Sequence, residues 1–415
     1  MNRILILFFT LTTSLTALAD QPFRNHRYDA LNALPVDSES IVFVGNSITN
    51  MHEWWEAFGN PHVLNRGVSG AVSDEMLENL SHILEGKPQK VFLMIGTNDL
   101  GTEGLNTATH VAGNLRIALR RFAEESPSTE VFVQSILPSR RRDIALQKET
   151  NDSLKDVCRA FGVTYIDLWN DLLSVTENNL RTLDGLHLSA SGYKLWCQKI
   201  APLVGSPSVY ESHFADNPCG LTYSNGMRAT QFSCFPVCWD DILFIGDEMI
   251  HSGEWHELLA SPHAKSRSIG WGFPGANIRT MDLCLEAIFK GCPENVAPHA
   301  AVFYVGAADL LAEEKLETIT SNYEDMISKA RNLAPETQII LISILPTESA
   351  KLNRSRIEPF NVELKNFAAK TANVEFLDAY SELSYQSLGQ PEFFLGNYLS
   401  GKGYIRLAEL LKQKL

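Results

Sequence analysis

Positive charge is scarce in this chain, and long apolar runs are nearly absent from it. Its 415 residues include 35 Lys and Arg against 49 Asp and Glu, which gives a formal net charge of −14. Such an acidic surface repels polyanions, so we expect neither nucleic acid nor an anionic membrane as a partner. Beyond residues 1–19, no apolar stretch approaches the roughly 20 residues that a membrane-spanning helix needs.

Cysteine is also sparse, with seven residues in the whole chain. An odd number leaves at least one thiol without a disulfide partner. No group of cysteines and histidines has the ordinary four-ligand spacing of a zinc site. The first cysteine is Cys158, so none follows the N-terminal segment to carry a lipid anchor. Two groups are close enough in sequence for short disulfides, namely Cys219 with Cys234 and Cys238, and Cys284 with Cys292.

The first 19 residues have the layout of an export signal. Arg3 is followed by the apolar run Ile4–Leu11, and small residues in Ala17–Ala19 precede Asp20. This order predicts a secretory signal peptide with its cleavage site, and the apolar run is too short for a comfortable membrane span. We therefore expect a secreted or periplasmic protein. A retained N-terminal anchor is the alternative.

Two short segments carry the residue types of a serine hydrolase. The apolar run Ile41–Val44 predicts a buried strand, and Ser47 lies just past its carboxyl end, where open α/β sheets bind their ligands. Asp184 and His187 are three residues apart in a glycine-containing turn, so the carboxylate can reach the imidazole and set its tautomer. A Ser, a His and an Asp are the minimum set for acyl transfer. Each one alone is also typical of a helix cap or a surface turn.

Two further blocks lie between these segments. Asn65–Gly70 follows a short apolar segment, and Gly96–Asp99 follows the apolar strand Val91–Ile95. With the serine and the Asp/His turn, these blocks resemble the four signature blocks of the SGNH (GDSL-like) hydrolases, over residues 40–200. The resemblance implies an α/β fold with a flavodoxin-like, five-stranded sheet.

The resemblance also implies a role for each matching residue. Ser47 would be the nucleophile, His187 the base, and Asp184 the carboxylate that orients the base. The oxyanion hole would be formed by Ser47, Gly67 and Asn98. The chemistry needs no metal ion and no cofactor.

Three hydrogen-bond donors would meet the negative charge that develops on the substrate carbonyl oxygen. Each such donor is worth roughly 3–4 kcal/mol. Two are the backbone N–H groups of Ser47 and Gly67, the third is the Asn98 amide, and a glycine has no Cβ to block the approach. Alone, Gly67 is also typical of a turn and Asn98 of a strand-end cap. The first block departs from the family at Asn46, where Asp is usual, and we expect this change to leave the nucleophile intact.

The chain contains the same pattern twice. Five segments of the first half recur in the same order in the second. The second-half copies are Ile242–Asp247, Glu254–Trp255, Ala301–Gly306, Ser343–Pro346 and Leu399–Tyr404. We interpret this as a tandem duplication of one fold.

The second copy lacks the catalytic residue types. At the positions of Ser47, Asn98, Asp184 and His187 it has Glu248, Ala308, Leu395 and Tyr398. Gly270 is expected to match Gly67. Without a nucleophile, a base or an orienting carboxylate, triad catalysis is not expected there.

Alternation of strands and amphipathic stretches in each half predicts parallel sheets with helices on both faces. The expected fold class is thus α/β, with two flavodoxin-like three-layer α/β/α domains. The expected divisions are a signal peptide (1–19), a catalytic domain (20–205), a connector (206–240) and a degenerate domain (241–415).

Two features near the catalytic segments have a less definite meaning. Arg140–Arg142 is the one notable basic cluster in the sequence, and we expect a solvated loop, with contact to an acidic sugar or phosphate as the alternative. Trp55 is a candidate for the substrate pocket because its counterpart in the second copy is His256. Trp54 has a tryptophan counterpart, Trp255, which favours packing.

These observations favour an exported serine esterase that removes acetyl or other short acyl groups from carbohydrate. The expected partner is a small-molecule or glycan ester, and the oligomeric state stays open. A lysophospholipase or thioesterase with a longer acyl preference is the enzymatic alternative. A non-catalytic glycan-binding protein is the alternative from another class.

Overall fold

A computed structural model describes residues 21–172, 184–210, 221, 223–270, 274–290, 296–312 and 314–415. The predicted signal peptide lies outside these residues, as do Cys219 and Cys292. Within them, no helix is both long and apolar enough to cross a membrane.

The first domain is built on a five-stranded parallel sheet. Its strands are β1 Ile41–Gly45, β2 Val63–Gly67, β3 Lys90–Met94, β4 Glu130–Gln134 and β5 Thr164–Ile166. They lie in the order β2-β1-β3-β4-β5. The central strand β1 is apolar and buried along its whole length, as expected for a parallel strand that is covered on both faces. In this register Gly45 lies beside Gly67 on one side and Met94 on the other.

Helices cover both faces of this sheet. They are α2 Ser47–Asn50, α3 Trp54–Ala57, α4 Ser73–Glu78, α5 Ser81–Gly86, α6 Ala108–Glu125, α7 Ile144–Phe161 and α8 Ala190–Val204, and a further helix, α1 Gln21–Asn32, precedes β1 in the chain. The two longest begin at side-chain caps: Thr107 accepts from the His110 N–H, and Asp143 accepts from the Leu146 N–H. A 3-10 turn, Asp99–Gly101, follows β3.

Successive residues of the strands pack on opposite faces of the sheet. On one face Phe92 stacks between Phe43 and Phe132, with ring centroids 4.8 and 4.7 Å apart. On the other face Val42 and Val44 belong to a separate apolar cluster. The sheet thus forms the middle of three layers, with an apolar core on each side.

The second domain repeats this architecture. Its strands are β6 Ile242–Gly246, β7 Ala264–Ser268, β8 Ala300–Tyr304, β9 Gln338–Ile342 and β10 Val374–Leu377. Their order is β7-β6-β8-β9-β10, which matches the order in the first domain. All its neighbouring strands are parallel. The predicted fold class, two α/β/α domains with parallel sheets, is confirmed.

The helices of the second half follow the same plan. They are α9 Tyr223–Ala229, α10 Glu248–His251, α11 Trp255–Leu259, α12 Ile278–Lys290, α13 Ala307–Leu311, α14 Leu316–Leu333, α15 Ala350–Leu352, α16 Glu358–Lys370, α17 Ala379–Leu383 and α18 Gly401–Leu411. A 3-10 turn lies at Phe232–Cys234, and a π-helical turn, Asn353–Ile357, joins α15 to α16. Two short antiparallel hairpins precede α18, formed by β11 Ser384–Tyr385 with β12 Leu388–Gly389 and by β13 Phe394–Leu395 with β14 Tyr398–Leu399.

The two domains face each other through equivalent surfaces. Arg66 of β2 forms a bidentate ion pair with Glu257 of α11, with N–O distances of 2.8 and 2.7 Å. The corresponding residues repeat this pair in the opposite direction: Arg267 of β7 binds Glu56 of α3 at 2.9 and 2.6 Å. All four side chains are buried. The halves are therefore related by an approximate two-fold axis, as in an isologous dimer.

Candidate active site

Three predicted residues come within hydrogen-bond distance of one another at the carboxyl end of β1. His187 Nε2 lies 2.9 Å from Ser47 Oγ, and His187 Nδ1 lies 2.6 Å from Asp184 Oδ2. A proton on Nδ1 is held by the carboxylate, which leaves Nε2 free to accept the serine proton. The described geometry is that of a nucleophile, a base and an orienting acid in one line.

The Asp184 carboxylate is held in its ionised form. Its Oδ1 accepts from the backbone N–H groups of Leu186 and His187, each at 2.9 Å. Burial alone would raise the pKa of this carboxyl, but the hydrogen bonds from His187 and Leu186 outweigh burial and hold its pKa well below the usual range. The charge needed to stabilise a protonated imidazole is thus present across the neutral range.

Ser47, the predicted nucleophile, is the first residue of a one-turn helix, α2. Asn46 caps this helix, because its Oδ1 accepts from the Ile48 N–H at 3.0 Å. The Asn46 side chain therefore makes the same cap hydrogen bond that the usual Asp could make at this position. Within the described residues, no protein group accepts from the Ser47 N–H, and this donor is open at the helix N-terminus.

Side chains from elsewhere satisfy the carbonyl groups that such a short helix leaves without partners. Each of the four carbonyls from residue 48 to residue 51 accepts a side-chain hydrogen bond. The pairs are Tyr193 Oη with Ile48 O, Trp54 Nε1 with Thr49 O, Asn65 Nδ2 with Asn50 O, and both Arg228 Nη1 and Gln231 Nε2 with Met51 O. A single turn is unstable by itself, so these bonds determine where the serine lies.

The structure contradicts the prediction that Gly67 provides an oxyanion donor. Its N–H already donates to Asn65 Oδ1 at 2.9 Å. A Cβ at this position would lie 2.3 Å from the backbone nitrogen of Asn50, so the glycine allows β2 to pack directly against α2. Gly67 therefore serves the close packing of β2 against α2.

A neighbouring glycine is better placed for the predicted role. Gly70 lies between Ser69, whose hydroxyl accepts from Asn50 Nδ2 at 3.2 Å, and Ala71, whose carbonyl accepts from Asn98 Nδ2 at 2.9 Å. The loop is thus held between the nucleophile helix and the predicted amide donor. Gly70 has a φ of 83°, which favours glycine. No protein group among the described residues accepts from its N–H.

The Asn98 side chain is oriented by its bond to Ala71 O, which uses one of its two N–H bonds. The second N–H has no protein acceptor among the described residues, so it is available for the predicted oxyanion role. We expect Asn98→Ala to lower kcat by roughly 10²- to 10³-fold with a smaller change in KM, because the donor acts on charge that appears in the transition state. Steady-state kinetics on an activated ester measure this. A change confined to KM would assign Asn98 to substrate binding alone.

Asp99 ties the Asn98 loop to the start of α4. It accepts from the Ser73 N–H at 3.0 Å and from the Ser73 hydroxyl, and burial raises its pKa. The second domain keeps this bond, since Asp309 accepts from the Ile278 N–H at 3.0 Å. The aspartate recurs in both copies of the sequence, and this recurrence is the signal from which its positioning role could have been predicted.

The basic cluster contacts the loops that carry two of the predicted site residues, Asp184 and Asn98. Arg141 Nε donates to the backbone carbonyl of Asp184 at 2.7 Å, and Arg142 Nε donates to that of Thr97 at 2.8 Å. Two of the three arginines thus brace the loops that carry Asp184 and Asn98. The cluster is more than the solvated loop that we expected.

The prediction that Trp55 lines a substrate pocket does not agree with its position in the structure. It is buried and stacks on His256 of the second domain, with ring centroids 4.9 Å apart. These are the equivalent positions of the two halves, so the stack lies close to the approximate two-fold axis. Trp54 packs as expected: it stacks on Phe43 at 4.1 Å, and Trp255 does the same on Phe244 at 4.2 Å.

The corresponding site of the second domain has different chemistry. Glu248 is buried and accepts from the Ser252 hydroxyl of its own helix turn. Tyr398, at the position of the histidine, stacks on His26 of α1 with centroids 4.5 Å apart. The predicted match of Gly270 with Gly67 is wrong, because the residue that lies beside Gly246 in the sheet is Ser268.

Both halves of the chain resemble one family of known proteins. The model of the GDSL-like lipase/acylhydrolase family matches residues 43–195 and again residues 244–405. The platelet-activating factor acetylhydrolase IB subunit alpha2 of Gallus gallus is 26% identical over 190 residues, which are 40% of this chain and 75% of that protein.

Two solved structures illustrate the likeness. The lipase/acylhydrolase from Enterococcus faecalis is 23% identical, with a TM-score of 0.34, and the match covers 40% of this chain and 95% of that one. A carbohydrate esterase of family 3 from Talaromyces cellulolyticus is 20% identical, with a TM-score of 0.35, over 40% of this chain and 96% of that one. Each match has the extent of about one domain of the pair.

Proposed function

Because the chain belongs to the GDSL-like lipase/acylhydrolase family, with both halves matching, we propose that it is an exported serine ester hydrolase that removes acetyl groups from carbohydrate. One observation carries the catalytic part of this proposal. Ser47 Oγ, His187 and Asp184 are connected by hydrogen bonds of 2.9 and 2.6 Å at the carboxyl end of the central strand. The second domain, which lacks these residue types, is proposed to be catalytically inactive.

The proposed reaction has two steps. Ser47 Oγ attacks the ester carbonyl carbon while its proton passes to His187 Nε2, and the resulting oxyanion is bound by the N–H groups of Ser47 and Gly70 and by Asn98 Nδ2. The tetrahedral intermediate collapses, the bond to the alkoxy oxygen breaks, and His187 gives its proton to the departing alcohol. Water then attacks the acyl-enzyme with His187 again as the base, and the acid leaves as Ser47 regains its proton.

Three observations support the proposed acyl group, alcohol and location of the substrate. The curated relative is by name an acetylhydrolase, which supports a short acyl group. A neutral acetylated sugar meets no repulsion from a chain with a net charge of −14, whereas an anionic lipid surface does. The secretory layout of the first 19 residues supports a substrate outside the cytoplasm.

Hydrolysis of p-nitrophenyl acetate, butyrate and octanoate tests the acyl preference. We expect kcat/KM to be highest for the acetate, and we expect acetate release from a peracetylated oligosaccharide. A preference for octanoate would favour a lysophospholipase or thioesterase instead. If no ester is hydrolysed and a fluorophosphonate does not label Ser47, the first domain is not a serine hydrolase, and a glycan-binding role takes precedence.

A further inference from the structure

The end of the nucleophile helix is bound by residues that follow the predicted catalytic domain in sequence. Arg228, in α9, donates from Nη1 to the Met51 carbonyl at 3.1 Å and from Nη2 to the Glu53 carboxylate. Gln231 Nε2 donates to the same carbonyl at 3.1 Å. Both therefore hold the residue that directly follows α2, although they lie in the segment that leads into the second domain.

The same segment also reaches the helix that follows the catalytic histidine. The Ala190 N–H, at the first turn of α8, donates to Thr230 Oγ1 at 2.9 Å. Gln231 Oε1 lies 2.8 Å from His52 Nδ1, and that ring stacks on Tyr193 of α8 with centroids 4.2 Å apart. Residues 228–231 thus contact both the element that carries the nucleophile and the element that follows the base.

The arrangement is reciprocal. In the first half Arg27, in α1, donates from Nη1 to the Ser252 carbonyl at 2.7 Å and from Nη2 to Glu254 at 2.5 Å. These are the counterparts of the contacts of Arg228, now made on the second domain. The Gly401 N–H, at the start of α18, donates to Asp29 at 2.7 Å, as the Ala190 N–H does to Thr230. The helix that precedes each domain therefore docks on the other domain.

We call α1 and α9 the exchanged helices, because each docks on the domain that it does not precede. Of the two, α9 docks on the domain that has the predicted triad. A charged donor at the C-terminal end of a one-turn helix satisfies an orphan carbonyl and opposes the negative end of the helix dipole. Arg228 is 3% exposed, so its guanidinium is screened little by solvent. If this contact is lost, the turn carrying Ser47 can shift relative to His187, and small displacements of reacting groups are costly in rate.

We infer that Arg228 is a positioning residue for catalysis: the half without a triad holds the nucleophile of the other half through the exchanged helix α9. This inference rests on the proposed serine hydrolase function. It gives the second domain a role that does not depend on any chemistry or ligand at its own degenerate site.

Arg228→Gln in the full chain tests the inference, with Arg27→Gln as the matched control. Each variant removes one buried arginine from an ion pair between an exchanged helix and the domain on which it docks: Arg228 with Glu53, and Arg27 with Glu254. Among the described residues, the one hydrogen bond of Arg27 to the first domain's sheet is a 3.4 Å contact from Nε to Gly67 O. We expect a similar loss of thermal stability in both. We expect kcat to fall roughly 10- to 100-fold in Arg228→Gln alone, with KM changed little.

Two further measurements separate positioning from stability. Arg228→Lys keeps the charge beside Glu53 but loses the fork that also binds Met51 O, so we expect only partial recovery of kcat. Gln231→Met removes a second donor to that carbonyl without leaving a buried charge unpaired, and a smaller loss of kcat is expected. The rate of fluorophosphonate labelling of Ser47 should fall in parallel with kcat.

The outcomes distinguish this inference from the proposed function. Equal losses of kcat in Arg228→Gln and Arg27→Gln, or unchanged kcat in both Arg228→Gln and Gln231→Met, would overturn the positioning role while leaving the hydrolase intact. A wild-type protein that neither hydrolyses esters nor reacts with the fluorophosphonate would contradict the proposed function itself.

Discussion

Ser47→Ala is expected to lower kcat by roughly 10⁵- to 10⁶-fold, the scale on which a triad serine acts. The methyl group of alanine cannot attack the ester, and among the described residues no hydroxyl other than that of Ser47 lies within hydrogen-bond distance of His187 Nε2, which is 2.9 Å from Ser47 Oγ. The fold should be retained because the side chain is small and Asn46 still caps α2. Hydrolysis of p-nitrophenyl acetate and thermal unfolding measure the two properties.

The duplicated chain offers a matched control for this substitution. Glu248 occupies the position of Ser47 in the second domain, and its carboxylate bonds within its own helix turn. We expect Glu248→Ala to leave kcat and KM unchanged. Turnover by Ser47→Ala within tenfold of wild type would refute the proposed mechanism, and a large loss in Glu248→Ala would mean that the two sites cooperate.

Asp184→Asn is expected to lower kcat by roughly 10⁴-fold. An amide in place of Asp184 Oδ2 can donate to His187 Nδ1 and so favour the tautomer with its proton on Nε2, which cannot accept from Ser47. It also removes the charge that stabilises the imidazolium. The reaction of Ser47 with a fluorophosphonate should slow in parallel, because that reaction needs the same base. Activity within tenfold of wild type would exclude Asp184 from the triad.

The same substitution has a pH-dependent effect on stability. The pKa of Asp184 lies below its usual range in the folded protein, so its ionised form stabilises the fold above the unfolded pKa of about 3.9. That contribution declines as pH falls below the unfolded pKa and is lost once pH has passed through the lower, folded pKa. Asp184→Asn should therefore unfold at a lower temperature than wild type at pH 6, and the difference should shrink in strong acid. A constant difference between pH 6 and pH 3 would show that the carboxylate charge is not what stabilises the turn.

Much of the fold could be predicted because parallel strands that are buried on both faces leave a clear apolar signal. Strands β1 and β3 lie where the apolar runs Ile41–Val44 and Val91–Ile95 predicted them. The triad positions could be predicted for a related reason: Ser47 follows the central strand directly, and Asp184 and His187 are close in sequence. Because Asp184 and His187 are only three residues apart, their contact lies within one turn and could be predicted from the sequence.

The errors concern contacts that sequence spacing does not determine. Gly67 and Gly70 occur in the same sequence block. The bond from the Gly67 N–H to Asn65 Oδ1 shows that this N–H already has an acceptor, and the sequence does not reveal that bond. Trp55 and His256 differ in size and polarity, which favoured a pocket, but their stacking depends on how the two halves meet. Side-chain bonds and domain contacts of this kind have no periodic signature.

The predicted connector illustrates a third kind of limit. Residues 206–240 have no clear periodicity, yet they include α9, a short helix with the same contacts as α1. The correspondence of Arg228 with Arg27 was hidden because few neighbouring residues match. A contact pattern can recur where the sequence around it has diverged.

The reciprocal surface between the two halves lies within one polypeptide, and this has a consequence for behaviour at low concentration. Two separate chains joined by such a surface would dissociate on dilution, and each would lose the support of its partner. A covalent link keeps the partner at an effective concentration in the millimolar range, whatever the concentration of the protein itself. Activity per molecule should then stay constant down to the most dilute samples that can be assayed.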